Sequence, residues 1–214
     1  MTFKRILPWL AAGFLGLSCI AASAQAPAAG KAPDVLIKEV STDVLESVKA
    51  DKSIKEGDTQ KVIALVDAKV MPYVDFERMT ASAVGRYWRQ ATPDQQKRLQ
   101  QEFKLLLVRT YSGALAQVQD QTVQIKPMRP SANEKEVVVR TEVRGRGDPI
   151  QLDYRLESTA AGWKIYDLSV LGVWLVENYR NSFAQEIGAN GVDGLIKKLV
   201  ERNTRPAPAT PAKS

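Results

Sequence analysis

The chain has 214 residues, 44% of them hydrophobic, with 30 basic against 24 acidic side chains, one cysteine and no histidine. That length carries one domain with a sizeable core. The missing histidine removes His-based triads, histidine general bases and most zinc sites, and a lone cysteine leaves no internal disulfide.

Lys4 and Arg5 precede an apolar run from Ile6 to Ile20 that closes on Ala22-Ser23-Ala24, the pattern of a secretory signal peptide spanning 1–24 and cleaved near Ala24. Gly16 stands three residues before Cys19, where a lipoprotein signal would put a leucine-like residue, so lipidation is not expected. No later segment offers the roughly 20 apolar residues a spanning helix needs. Cleavage removes the only cysteine, and thiol chemistry with it, and the loss of Lys4 and Arg5 lowers the net charge from +6 to +4. The remaining charge is scattered, with no basic stripe and no aromatic RNA-binding motif, so nucleic acid is not an expected partner.

An Ala/Pro/Gly linker over 25–33 follows the leader, a single folded domain is expected over 34–203, and 204–214 is Pro/Ala-rich and expected to be disordered. Helical periodicity runs from Asp34 to about Ala50, from Asp58 or Thr59 to about Met71, and from Asp75 to Ala83. Thr92-Pro93-Asp94-Gln95 then reads as a capping box with Pro in the first turn. It opens a helix of about seven turns with Leu99, Phe103, Leu106, Leu107, Thr110, Tyr111, Ala114 and Val118 on one face. Leu105 and Val108 widen that face, which predicts cover on more than one side.

Beyond Gln119 the period becomes two. Val123/Ile125, Val137/Val139/Val143, Ile150/Leu152/Tyr154/Leu156 and Trp163/Ile165/Leu168/Val170 read as antiparallel strands in a meander, with turns at Gly145 to Pro149 and Ala160 to Gly162. The segment "GVWLVENYRNSF" (172–183) predicts a helix with Leu175, Val176, Tyr179 and Phe183 on its buried side and Trp174 among the polar residues. A closing helix follows from about Val192, burying Leu195, Ile196, Leu199 and Val200. The result is an α+β fold: a curved antiparallel sheet of about four strands covered by several helices, enclosing an apolar pocket.

No phosphate-cradling loop or dinucleotide glycine motif is present, so neither nucleotide hydrolysis nor a redox cofactor is expected. Asp153 beside Tyr154 and Asp167 beside Tyr166 leave open a cone-fold enzyme acting on a small apolar substrate. Alternation within a strand argues against it, since tyrosines turned inward put their Asp neighbours outside. Arg140, Arg144 and Arg146, beside Glu136 and Glu142, are the candidate docking cluster for an anionic surface or acidic partner, a solvated face being the plainer reading.

Phe76-x-x-Met79, Gly85-x-x-Trp88, "WRQATPDQQKRLQQEFKLLLVRTY", the strand ends "DYRL" and "WKIYDL", then "NYRNSF" and "GVDGLIKKL" together resemble the periplasmic phospholipid-binding component of the maintenance-of-lipid-asymmetry system (MlaC), also called the toluene-tolerance auxiliary family. The resemblance spans nearly the whole mature chain in order and departs at Trp174, where the family carries a smaller polar residue. It implies a periplasmic carrier, monomeric and without cofactor, catalytic residues or metal, that holds a diacyl phospholipid in a deep apolar pocket. Such a carrier shuttles its cargo between an outer-membrane lipoprotein–porin complex and an inner-membrane ABC transporter complex with its substrate-binding hexamer, maintaining outer-membrane lipid asymmetry.

Inward positions of the long helix, the central strands and the helix after Gly172 supply the pocket candidates: Leu106, Leu107, Tyr111, Leu152, Tyr154, Tyr166, Val173, Tyr179 and Phe183, with Trp174 as pocket rim or docking point. For each, plain core packing is the competing reading. A third reading of the whole, a periplasmic adaptor using Trp174 and the arginines to bind protein, predicts a filled core.

Overall fold

The computed structural model describes residues 31–128 and 134–205. The expected leader (1–24), most of the linker (25–33) and the tail beyond Arg205 lie outside the described residues. The elements run α1 (Pro33–Ala50), α2 (Lys52–Lys55), α3 (Thr59–Lys69), α4 (Phe76–Val84), α5 (Pro93–Ala116), β1 (Thr122–Ile125), β2 (Glu136–Arg144), β3 (Ile150–Thr159), β4 (Gly162–Val170), β5 (Val173–Trp174) and α6 (Leu175–Thr204), with 3-10 turns at Met71–Tyr73 and Gly85–Gln90. This is the expected α+β fold, with one short strand more than anticipated. Val173 and Trp174, read as helical from the sequence, pair with Val170 and Ser169 as β5, so the last helix starts at Leu175.

Local signals start α3, α4 and α5. Asp58 accepts from the backbone N–H groups of Gln60 and Lys61 to cap α3, and Asp75 accepts from that of Arg78 to cap α4. At α5 the capping box forms as read: Thr92 Oγ1 accepts from Gln95 N at 3.2 Å, and Gln95 Oε1 accepts from Thr92 N at 2.9 Å. The run from Leu175 to Thr204 is interrupted only at Gly191, whose φ of 72° and ψ of −179° are non-helical. That break separates the two helices expected from the sequence and lets Leu195, Ile196 and Leu199 fold back onto the α5 side.

The five strands pair in sequence order, all antiparallel. Partnered residues share a face, so Val137, Val139, Thr141 and Val143 on β2, Leu156, Tyr154, Leu152 and Ile150 on β3, and Leu168 and Val170 on β4 form one inner, largely apolar surface. Glu136, Arg140, Glu142, Asp153, Arg155 and Glu157 lie on the outer one. Because β5 is short, most of the edge of β4 away from β3 lacks a strand neighbour. Val74 makes a parallel bridge to Ile165, and Asp75 N donates to Ile165 O at 2.8 Å, which covers that edge and anchors the start of α4.

Apolar side chains pack into three clusters. One joins α4, α5 and both halves of α6 around Phe103, which meets Tyr179 and Phe183 edge-on at centroid distances of 5.1 and 5.2 Å. A second sets the first half of α1 (Leu36, Ile37, Val40) on Val137, Val139, Leu156 and Ile165 of the sheet. The third binds the second half of α1 to α2, α3 and the far end of α5 through Val48, Ile54, Val62, Val108 and Val118. Helix α5 is therefore buried on two sides, as its widened stripe predicted.

Candidate functional site

Between the first two clusters lies a seam. α5 packs mainly on α3, α4 and α6 rather than on the strands. Leu107 and Tyr111, one turn apart on α5, remain only half-buried, Leu107 at the edge of the first cluster and Tyr111 beside Tyr179, while their neighbours Leu106 and Phe103 are fully packed. On the inner face of the sheet, Leu152, Tyr154, Leu168 and Val170 are also half-buried. Leu152, Leu168 and Val170 belong to none of the three clusters among the described residues. Apolar side chains at the middle of a two-layer fold that keep accessible surface are the positions between which a cleft, rather than a filled core, would open.

The few polar atoms of the seam satisfy one another. The Tyr154 hydroxyl lies 3.5 Å from Ser41 Oγ on α1, and Thr141 Oγ1 donates to Leu152 O at 2.8 Å. Burial pushes the Tyr154 hydroxyl pKa up, and burial with the neighbouring Tyr179 does the same for Tyr111. Both phenols stay neutral, and the cleft presents hydrocarbon and uncharged rings.

The sequence-derived candidates divide into three groups. Leu107, Tyr111, Leu152 and Tyr154 are half-buried, Leu107 against the α4–α5–α6 cluster and Tyr154 against the cluster of α1 and the sheet. Leu106, Tyr179 and Phe183 are buried members of the α4–α5–α6 cluster, with Tyr179 at its boundary beside Tyr111. The other three candidates lie elsewhere. Val173 is 52% exposed at the end of the sheet.

Tyr166, expected in the pocket, lies on the outer face, and so does Trp174, which removes the pocket-rim reading of Trp174 and leaves docking or packing for it. The pairing of β3 with β4 slips between Arg155↔Asp167 and Leu156↔Ile165, so Tyr166 is an extra residue in a bulge and the alternation of β4 changes phase there. Tyr166 and Asp167 thus end on the same outer side, against the expectation that one would face inward. Tyr166 carries the Arg78 guanidinium 3.7 Å above its ring and donates to Glu136 at 3.2 Å. Arg78 also bonds Glu136 at 2.6 Å and pairs with Glu157. Trp174, opposite Ser169, lies with its ring centroid 3.9 Å from the guanidinium carbon of Arg155.

Arg155 in turn donates to Asp167 at 3.0 Å, and Asp167 Oδ1 accepts from Leu168 N (2.9 Å) and Val176 N (3.2 Å). A strand carboxylate thereby caps the first turn of α6, which has no cap of its own. Burial outweighs these donors and raises the Asp167 pKa. With Asp153 and Asp167 both on the outer face, no Asp–Tyr pair stands in the cleft.

The arginines expected to dock a partner lie on β2 and the turn after it: Arg140 opposite Asp153, Arg144 bonded to Glu142 at 2.6 Å, and Arg146, in the turn, 3.5 Å from Asp120. The residues missed by sequence reasoning are Leu168, Val170 and Ser41. Strand alternation carried the signal for the first two, and nothing local marks a serine on α1 as facing Tyr154. Among the described residues no helix is long and apolar enough to cross a membrane, and no group of three or more acidic, cysteine or histidine side chains is placed to hold a metal ion.

The profile described as MlaC protein matches residues 38–201. Toluene tolerance protein ttg2D of Pseudomonas putida is 25% identical over 166 residues, covering 77% of each chain. The intermembrane phospholipid transport system binding protein MlaC of Haemophilus influenzae is 23% identical over 178 residues, 81% of this chain and 83% of that one. Among solved structures, the phospholipid-binding protein from Ralstonia solanacearum in complex with a phospholipid matches with a TM-score of 0.77 and 48% identity, covering 79% of this chain and 96% of that one.

Proposed function

The chain belongs to the MlaC family, and from that premise we propose that it is a phospholipid carrier whose cargo lies in the cleft between α5 and the inner face of the sheet. The observation that supports this reading is the set of half-buried apolar side chains between two separately packed clusters. Leu107 and Tyr111 on α5 and Leu152, Tyr154, Leu168 and Val170 on the inner face of the sheet are the proposed lining. A relative solved with a phospholipid bound has the same fold at 48% identity, which supports that ligand class here.

The physics favours an enclosed cleft over a surface groove. Exposing acyl chains to water costs about 0.8 kcal/mol per methylene, so extraction from a bilayer becomes near-isoenergetic only when the protein covers most of each chain. A cleft of hydrocarbon and neutral phenols offers that cover while the headgroup stays in water, which predicts tolerance of headgroup chemistry. Asp167, the most buried of the acids considered for catalysis, is committed to Arg155 and the α6 terminus, in keeping with a binding rather than a catalytic role.

The signal-peptide pattern over 1–24 supports a periplasmic carrier, and in this proposal it acts as a monomer between an outer-membrane lipoprotein–porin complex and an inner-membrane ABC transporter complex bearing a substrate-binding hexamer. Net direction then comes from partners that bind loaded and empty forms with different affinity. Arg140, Arg144 and Arg146 are the proposed docking cluster; Arg144 and Arg146 would exchange ion pairs to Glu142 and Asp120 for those of a partner, and Arg140 stands opposite Asp153.

Native mass spectrometry of the mature protein, purified from its own periplasm without detergent, tests the proposal. A stoichiometric adduct with the mass of a phospholipid is expected, and Leu152→Trp, which fills the seam, should abolish it. Protein that is empty, and stays empty after incubation with phospholipid vesicles, would overturn the reading.

A further inference from the structure

Three of the five exposed large hydrophobic residues in the described chain gather at one end of the sheet: Ile150 (42% exposed), Leu171 (64%) and Val173 (52%). Register ties them to the cleft. Val170 pairs with Leu152 on one side and Val173 on the other, and Ile150 stands two residues before Leu152 on the same face. The inner surface therefore continues without a polar break from Tyr154 and Leu168, through Leu152 and Val170, out to Ile150 and Val173.

Leu171 stands at the tip of this track and is held there. It is the one non-glycine residue with positive φ (51°) among the described residues, and with Gly172 (φ 84°) it forms the two-residue turn between β4 and β5. Such a turn takes Asn or Gly at its first position at least cost, and leucine there opposes the local preference. Its N–H donates to Gln151 O at 2.9 Å, which fixes the turn against β3. A strained turn that holds out a fully apolar side chain suggests a use for that side chain.

The charges nearby do not suit an electrostatic dock. Arg144 and Lys126 both pair with Glu142, and Arg146 faces Asp120. The attraction available at this end is hydrocarbon burial. We propose, resting on the carrier reading, that Ile150, Leu171 and Val173 form the mouth of the cleft and dip into the acyl region of a phospholipid bilayer, so that a chain leaving the bilayer passes along Val173 and Val170 to Leu152 without crossing water.

The test follows uptake of a headgroup-labelled fluorescent phospholipid by the full mature protein from vesicles of phosphatidylethanolamine and phosphatidylglycerol. Leu171→Asn gives the turn a residue it prefers, so this variant should melt at or above the wild-type temperature while its uptake slows at least five-fold. Val173→Thr, a near-isosteric change, should slow uptake in the same direction. Val35→Asn, an exposed apolar position remote from the mouth, should leave it unchanged. Uptake by Leu171→Asn at the wild-type rate overturns the mouth, as does wild type that carries lipid by mass spectrometry yet takes none from vesicles; carriage survives either result. Wild type that holds no lipid by any route fails the carrier reading itself.

Discussion

Asp167→Ala is the sharpest test of how α6 is held to the sheet. The carboxylate is 1% exposed, and its Oδ1 serves both Leu168 N and Val176 N. Truncation leaves the buried Val176 N–H without an acceptor and the partly buried Leu168 N–H short of one, at about 1–3 kcal/mol for the first and less for the second. The share of Arg155 is small. Its side chain is 31% exposed and keeps Glu177 and the Trp174 ring, so the lost ion pair is worth about 0–1 kcal/mol.

Together the loss is about 2–4 kcal/mol, a large part of the roughly 5–15 kcal/mol that holds a domain folded. Urea unfolding with a slope of about 2 kcal/mol/M converts this to a midpoint lower by about 1–2 M at unchanged slope. Asp167→Asn retains one acceptor oxygen and should lose about half as much. A midpoint for Asp167→Ala within about 0.3 M of wild type would refute the assignment of this carboxylate as the α6 cap. So would Asn and Ala variants that fall equally far.

Leu106 and Leu107 offer a matched pair for the cleft. Leu106→Ala opens a void in a packed cluster and should cost about 2–5 kcal/mol, whereas Leu107→Ala widens space already present and should cost about 1 kcal/mol; equal losses in urea would mean the seam is filled. Gly191→Ala should destabilise by about 1–3 kcal/mol through the backbone alone, since a Cβ there meets no neighbour within 4 Å but φ 72°, ψ −179° suits only glycine, and a thermal melt reads it directly. The bond from Arg78 holds the Glu136 carboxyl below its ordinary pKa, so its contribution to stability is present above the unfolded value near 4.5 and fades as pH falls through the lower folded one. Glu136→Gln should flatten that part of the acid limb in pH-dependent unfolding. Asp167 has the opposite sign, because its raised folded pKa makes the folded state take up a proton first, so acidification there does not oppose folding.

Much of the architecture was legible because the signals that encode it are local. The Thr92 to Gln95 box, the stripe Leu175–Val176–Tyr179–Phe183 and the strand alternation each depend on neighbours within a few residues, and the structure follows them. The orientation of Tyr166 was not legible. Nothing in "WKIYDLSV" distinguishes a regular strand from one with an extra residue, since the bulge is set by pairing with Arg155 and Leu156 on another strand. Trp174 was legible as an anomaly, an aromatic on a polar side, but its explanation is a guanidinium nineteen positions earlier on β3. The depth of burial along α5 was the least legible. Leu106 and Leu107 are identical in type and adjacent in sequence, yet one is buried and the other half-buried, a difference set by what packs beside each.

The extra residue in β4 also constrains how this strand can change its length. Side chains before and after Tyr166 keep their partners only because the bulge takes up that residue: Ile165 faces α1, while Leu168 and Val170 share the inner face with Tyr154 and Leu152. Loss of Tyr166 alone would therefore leave a plain alternating strand, with Ile165 still opposite Leu156, Asp167 opposite Arg155 and Leu168 opposite Tyr154. The inner surface would survive that deletion, and the ring beneath the Arg78 guanidinium would be lost. The bulge is spare length on the outer side, a place where the strand can shorten by one residue without changing which side chains face the helices.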